Sequence, residues 1–316
     1  TPNDTEFHLQ YHHQMIKTTQ AWEVTKGSEN IIIAVTDNEF QLDHEDLKMA
    51  WWKNPNEIPN NNIDDDSNGY IDDVYGWDFM GEDNDVDSTE EPTHGTHVSG
   101  IIAATANNNQ GGVGIAPNIK VMPLKWYGPE GTWTSALIAE TYHYAVNNGA
   151  KIITTSYGID QLVDDAVYRD SLKYIKDNNV ILFNSAGNDR KKNPPRQVIE
   201  EIILVCSVKS KIKRTEDRKS GFSNYGTGID ICAPGDPIYS TVQRPGSTIQ
   251  TRYAKLEGTS MSAPAAAAVA GLIWSAHPNF TDEEVIQKLY DSADNIDAKN
   301  KRYKGLLGAG RINAYK

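Results

Sequence analysis

Cysteine is scarce, basic charge is outnumbered, and long apolar runs are missing from this chain of 316 residues. Lys and Arg number 30 against 43 Asp and Glu, a net charge of -13, and no basic stripe interrupts the acidic balance. Phosphate backbones and anionic bilayers repel such a surface, so neither nucleic acid nor membrane insertion is expected. The longest apolar stretch, Ala263 to Trp274, is mostly alanine. It falls short of the about 20 residues that a spanning helix needs, and reads as a buried helix. The two cysteines, Cys206 and Cys232, permit one disulfide, but neither sits in a metal or redox spacing, and both read as plain buried thiols. An HExxH helix and a matched pair of Asp motifs are missing too, which disfavours metal-dependent and acid-pair hydrolysis. With neither an internal repeat nor a linker, residues 1–316 read as a single domain. The opening at Thr1, without a charged start and apolar core, reads as a processed form whose targeting or pro-segment has been removed or left out.

What is present is enough apolar content, 38%, for a full core. The β-branched runs Ile31 to Val35, Val121 to Leu124, Ile152 to Thr155, Val180 to Phe183 and Ile202 to Val208 read as buried strands. Between them, Ser135 to Asn147 and Asp164 to Asp177 place apolar residues three and four apart, the pattern of amphipathic helices. Repeated strand, helix, strand predicts an α/β fold: a mostly parallel central sheet with helices on both faces. Asn54 to Ser88 is too polar for a core element and too long for a turn, so it reads as an acidic insertion. Lys209 to Lys219 reads as a charged, solvated loop.

Four residues stand where chemistry is possible. Ser260, in Gly258-Thr259-Ser260-Met261-Ser262-Ala263-Pro264, lies at the mouth of the alanine-rich helix, where the helix dipole favours developing negative charge; taken alone it reads as a helix cap. His94, in His94-Gly95-Thr96-His97, opens a second apolar helix with Gly95 leaving space beside the ring. His97 reads as structural, and a metal held by the two histidines has no third ligand in the required pattern. Asp37 follows the first strand, and Asn188 in Ser185-Ala186-Gly187-Asn188 follows another, each alone an ordinary turn residue. Together the four fall on the rim of the sheet where open α/β folds place their sites.

These motifs, in the order Asp, His, Asn, Ser, resemble the subtilisin-like serine protease family, from Ile31 to the ending Gly308-Ala309-Gly310-Arg311-Ile312-Asn313-Ala314. The resemblance implies a three-layer subtilisin-like fold and a serine endopeptidase that cuts polypeptides through an acyl-enzyme. Ser260 would attack, His94 act as base then acid, Asp37 fix the imidazole tautomer, and Asn188 with the Ser260 N–H hold the oxyanion. Lys125-Trp126-Tyr127-Gly128 and Ser156-Tyr157-Gly158 are similar to the segments that sandwich an extended substrate by strand addition, and Tyr157 with Ser185, Ala186 and Gly187 would wall the pocket for the residue before the cut. Three departures bear on this. Asn38 and Glu39 replace a small residue and glycine after Asp37, Ser262-Ala263 replaces the commoner order before Pro264, and Asp189 to Gln197 is basic without the usual aromatic-proline turn.

The insertion carries Asp64-Asp65-Asp66-Ser67-Asn68-Gly69, the start of an EF-hand-like loop, although position twelve is Tyr75 rather than Glu. Asp64, Asp66, Asn68, the Tyr70 carbonyl and Asp72 or Asp73 are its candidate ligands for a structural Ca2+. A second calcium site follows from resemblance alone: Asn107 to Val113 with Asn108 inside it, and Asp46 as partner carboxylate. Family likeness further implies an inhibitory pro-segment as partner and a secreted enzyme, although the family has intracellular members. Two rivals remain at this stage: an inactive relative that only binds peptide, and a transpeptidase in which an amine intercepts the acyl-enzyme.

Overall fold

β-Branched and aliphatic residues alternate along the strands, and that alternation sorts them onto two helical layers. The computed structural model describes residues 1–87, 94–127, 133–211, 214–242 and 252–316. Two short helices, α1 (Tyr11–Ile16) and α2 (Thr18–Ala21), lead into β1 (Ile32–Asp37). There follow β2 (Trp77–Asp78), α3 (His94–Ala103), β3 (Lys120–Lys125), α4 (Ser135–Asn147), β4 (Ile152–Thr155), α5 (Ala166–Asp177) and β5 (Ile181–Ser185). The chain continues through β6 (Ile202–Lys211), β7 (Arg214–Lys219), β8 (Ile231–Asp236), β9 (Ile238–Thr241), β10 (Tyr253–Leu256), α6 (Thr259–Ala276) and α7 (Asp282–Ser292).

The main sheet runs β2-β3-β1-β4-β5-β6-β7, with β8 also paired to β6. Every pairing in it is parallel except β6 with β7. Strand residues two apart face the same way. Ile33, Val35, Ile181, Phe183, Ile203 and Val205 therefore join one buried cluster with α3 and α6. Ala34, Ile153, Leu182 and Leu204 join the other, against Tyr142 of α4 and Tyr168 and Leu172 of α5. The three-layer architecture expected from the sequence is the one observed. Thr134 and Asp165 cap α4 and α5 through their side chains, and Thr281 with Glu284 forms a capping box on α7, each cap stabilising by about 1 kcal/mol. Among the described residues no helix is long and apolar enough to cross a membrane.

Two expectations are corrected here. Lys209 to Lys219 is no solvated loop, because its described part is the hairpin of β6 and β7, residues 212 and 213 lying outside the described residues. Its charge pointed the wrong way: Asp217 is buried, and takes Arg311 Nε at 2.9 Å and Lys299 Nζ at 2.8 Å. Charge paired with a distant chain end looks solvated when only its neighbours are read. The cysteines are not free thiols either. Cys206 and Cys232 are opposite one another on the parallel strands β6 and β8, with Cα atoms 4.4 Å apart, and are joined as a disulfide.

Candidate active site

The described strand ends bring the candidate residues to one edge. Asp37 is the last residue of β1, at the switch point where β1 is flanked by β3 and β4. Its carboxylate receives the Asn38 N–H at 2.8 Å and grips His94 Nδ1 at 2.9 and 2.8 Å through its two oxygens. A carboxylate at that nitrogen fixes the proton on Nδ1 and leaves Nε2 as the basic atom. Burial pushes the His94 pKa down, but the charge of Asp37 and the hydrogen bond to it outweigh burial and leave it above the usual histidine value. The ring is 32% exposed on the cavity side.

α3 begins at His94, and Gly95 is there for want of space: a Cβ would collide with the Glu39 carbonyl, the Phe40 ring and the Asp37 Cβ. Asn38, a departure from the family pattern, has a place in this packing. Its Oδ1 accepts the N–H of Glu39 at 2.8 Å and of Gly95 at 3.2 Å, tying the Asp37 turn to the start of α3. His97 turns the other way, donating from Nε2 to the carbonyls of Ile238 at 3.0 Å and Ala254 at 3.2 Å. Burial drives its pKa down to about 3, so it is a neutral structural imidazole, as the sequence reading had it.

Ser260 is the second residue of α6, and the capping role read from sequence is corrected: the cap position is Gly258, and no side-chain cap bond is made. Pro264 lies inside the helix and has no N–H for the carbonyl four residues earlier, which is that of Ser260. Ser156 Oγ fills the gap, donating to the Ser260 carbonyl at 3.0 Å, while Ser260 Oγ donates to the Ser156 carbonyl at 3.2 Å. The hydroxyl is thus held against Ser156, which lines the same cavity as His94. Asn188 follows β5. Its Oδ1 accepts the N–H of Thr259 at 2.9 Å and the Thr259 hydroxyl at 3.0 Å, which turns its Nδ2 toward the Gly258 to Ser260 corner. Gly187 N–H donates to Thr259 Oγ1 at 3.1 Å and closes this small network.

A cavity of about 480 Å³ opens beside His94, with Asp37, Asn38, Ser156 and Gly158 on its walls and an aromatic lining of Trp126, Tyr127, Trp133 and Tyr157. Trp133 was not foreseen. Tyr157 faces this cavity, its ring 4.4 Å from Trp126 and its hydroxyl 2.9 Å from that of Tyr142. The pairing of β4 with β5 ends at Thr155 and Asn184, so Ser156 to Gly158 and Ser185 to Gly187 continue as the two walls of a slot, with the Tyr157 carbonyl held by Asn184 Nδ2 at 3.1 Å. Lys125 Nζ is bound to Asp78 at 2.7 Å, so its side chain serves the insertion rather than the groove. Gly128 lies outside the described residues.

In the insertion, Glu57, Asp66 and Asp73 bring carboxylate oxygens within 4.8 Å of one another. Sequence reasoning missed Glu57, whose Oε2 is buried without a partner. Asn54 Nδ2 links Asp66 at 3.0 Å with Asp73 at 2.9 Å, and Asn68 Nδ2 reaches Asp73 at 3.0 Å. Burial raises the Asp73 pKa, and the charge of Asp66 adds to it. Asp64 and Asp72 are not part of the group: Asp64 accepts the N–H of Asn68 and Gly69, and Asp72 those of Asn61 and Asn62. The Tyr70 hydroxyl bonds Glu140. At the second loop, Asn108 Nδ2 donates to Asp46 at 2.6 Å, and the buried Asp4, also missed, accepts the N–H of Asn107 and Asn108. Burial pushes Asp46 up to about 7.

The profile of the subtilase family, peptidase S8, matches residues 28–310. A thermophilic serine proteinase of Bacillus sp. strain AK1 is 33% identical over 317 residues, covering 100% of this chain and 68% of its own length. Thermitase of Thermoactinomyces vulgaris is 33% identical over 319 residues, covering 100% of this chain and 98% of its own. Among solved structures, a protease of Pseudoalteromonas arctica superposes with a TM-score of 0.76 at 25% identity, covering 100% of this chain and 98% of that one. Fervidolysin from Fervidobacterium pennivorans, at 23% identity and a TM-score of 0.78, covers 96% of this chain and 45% of that one, a likeness of fold.

Proposed function

This chain belongs to the subtilase family and is a serine protease, and from that premise we propose that it hydrolyses peptide bonds through an acyl-enzyme on Ser260. The observation that carries the reading is the grip of Asp37 on His94 Nδ1, which leaves Nε2 as a base beside the groove. His94 takes the Ser260 proton as Oγ attacks the scissile carbonyl, the oxyanion forms between Asn188 Nδ2 and the Ser260 N–H, and the imidazolium returns the proton to the leaving amine. Water then repeats the cycle on the ester. The peptide lies extended between the segments at Trp126 and Tyr127 and at Ser156 to Gly158. Two measurements test this: a fluorophosphonate probe should modify Ser260, and product masses from a model peptide should contain added water. Mainly cyclic or ligated products would replace hydrolysis with transpeptidation.

The histidine shift sets a pH dependence. Protonated His94 cannot accept the serine proton, so kcat/KM falls as pH drops through its pKa, and a pKa held above 6.5 moves that acid limb upward. The same shift stabilises the fold fully below the unfolded pKa and loses that contribution as pH rises through the folded one, so activity and this part of stability run in opposite directions. An acid limb at or below 6.5 in the kcat/KM profile would contradict the Asp37 assignment.

Glu57, Asp66 and Asp73 fit a hard divalent cation: all donors are oxygen, they converge, and one buried carboxylate oxygen has no partner. Bound there, Ca2+ would neutralise the carboxylates that tie the insertion together. If the ion is held at about 100 times its Kd, chelation removes roughly 2.7 kcal/mol, or a Tm drop of about 4 °C. Calorimetry with and without chelator checks it, and Glu57→Gln should abolish the response; an unchanged Tm in the wild type removes the site. Asp46 and Asn108 satisfy one another and are not needed for this reading. Secretion fits a calcium-stabilised protease, and a curated relative, 31% identical, is named as extracellular.

A further inference from the structure

Below the slot between Ser156 to Gly158 and Ser185 to Gly187 lies a cation that sequence reasoning did not single out. Arg196 sits in a single helical turn, Pro195–Val198, and is 4% exposed. Its Nη1 donates to the carbonyls of Ser185 at 2.9 Å and Tyr157 at 3.3 Å, one on each wall, and reaches Asn184 Oδ1 at 3.3 Å. Nη2 lies 3.3 Å from where a Cβ on Gly158 would stand. The guanidinium therefore closes the gap at the depth where the two strands diverge. Its charge is balanced by Asp160, which accepts Nε and Nη2 in a bidentate fork, both at 2.9 Å, and the Arg196 N–H at 3.0 Å. That fork holds the Asp160 carboxyl below its ordinary pKa, with Lys191 adding to it. Of the pair, Asp160 is the more open, 25% exposed against 5% for the arginine side chain.

We propose that Arg196 is the specificity-determining residue of this slot, rejecting lysyl and arginyl side chains immediately before the scissile bond in favour of glutaminyl and glutamyl ones. The proposal rests on the protease reading above. A lysyl ammonium at the floor would meet guanidinium N–H groups, which offer it no acceptor, and both oxygens of Asp160 are already engaged by the fork, so it would be desolvated without a partner. A side-chain carbonyl or carboxylate meets instead the second Nη2 N–H, the one not directed at Asp160, on the Gly158 side of the gap. Discrimination of this kind works through the repulsive element as much as through the attractive one.

The test uses the full chain and peptides identical except for Gln, Glu, norleucine or Lys before the cut. The wild type is expected to cleave the lysyl peptide with kcat/KM at least about 10-fold below the glutaminyl one, the size of a single well-placed charge contact. Arg196→Ala strips Asp160 of its partner and should raise the Lys to Gln ratio at least about 10-fold, a gain that Asp160→Asn in the same chain cancels. Arg196→Lys cannot hold both Asp160 oxygens and should raise the Lys to Gln ratio, by less than Arg196→Ala does. A uniform drop across the series with the ratio unchanged would assign Arg196 a purely structural role and overturn the proposal. Should Arg196→Ala fail to fold, the wild-type series decides: equal cleavage of Lys and Gln peptides overturns the proposal alone, whereas no cleavage of any peptide overturns the protease reading with it.

Discussion

Ser260→Ala is expected to lower kcat on the order of 10⁶-fold, the size known for such a knockout in subtilisin itself, a relative, and not a quantity derived from this structure. The loss should fall on kcat and leave KM nearly unchanged, because the hydroxyl contributes to the transition state and not to ground-state binding of the peptide. Stability should hardly move. Ser260 makes no cap bond, and the one hydrogen bond it gives up, to the Ser156 carbonyl at 3.2 Å, is worth about 1 kcal/mol. Ser262 provides the contrast within the same turn of helix: its Oγ is fully buried and donates to the Ala233 carbonyl at 3.0 Å. Ser262→Ala should therefore cost stability and leave the chemistry alone. Turnover and thermal melting on both variants separate the two roles, and a Ser260→Ala enzyme within 10-fold of wild type would end the acyl-enzyme reading.

The sheet was legible because a strand buried on both faces writes itself as a continuous β-branched run, as in Ile31 to Val35, and parallel order follows from the helices between such runs. The placement of Asp37, His94, Ser260 and Asn188 at strand ends and helix starts was legible, but each alone reads as a turn or cap residue, and only their conjunction and the family resemblance single them out as a candidate site. Harder to read was whatever depends on partners far along the chain. Glu57 lies 16 residues before Asp73, outside any loop motif, and Arg196 finds Asp160 36 residues away. The sign of a charge gives no hint of its burial. Asp217 in a run of charges looked solvated, yet it is enclosed by Arg311, 94 residues on. The Cys206 to Cys232 bond needed the register of β6 against β8, which no spacing of two cysteines contains. Ser260 is a subtler case: its place at the head of a helix was readable, but the cap lies two residues earlier in the chain, at Gly258.

Asn188→Ala is expected to cost 10²- to 10³-fold in kcat, again with KM nearly constant; that magnitude is the one recorded for the oxyanion-hole asparagine of subtilisin, a relative, and is carried over rather than derived. For the oxyanion role proposed above, the hydrogen bonds around Asn188 supply a reason its amide would need no reorganisation. Thr259 holds Asn188 Oδ1 with both its N–H and its hydroxyl, and Gly187 in turn donates to that hydroxyl, so the carbonyl end of the side chain is pinned by the helix that carries Ser260. A donor fixed in this way is positioned before charge appears on the substrate oxygen, and its interaction is stronger in the transition state than in the ground state. Thr259→Val removes one of the two bonds that pin Asn188 while leaving the amide in place. It should therefore lower kcat by less than Asn188→Ala does, and the double variant should lose little beyond Asn188→Ala alone, because the hydroxyl acts through the asparagine. Additive losses in the steady-state kinetics of the three variants would show instead that Thr259 serves the fold of the corner and that Asn188 finds its orientation without it.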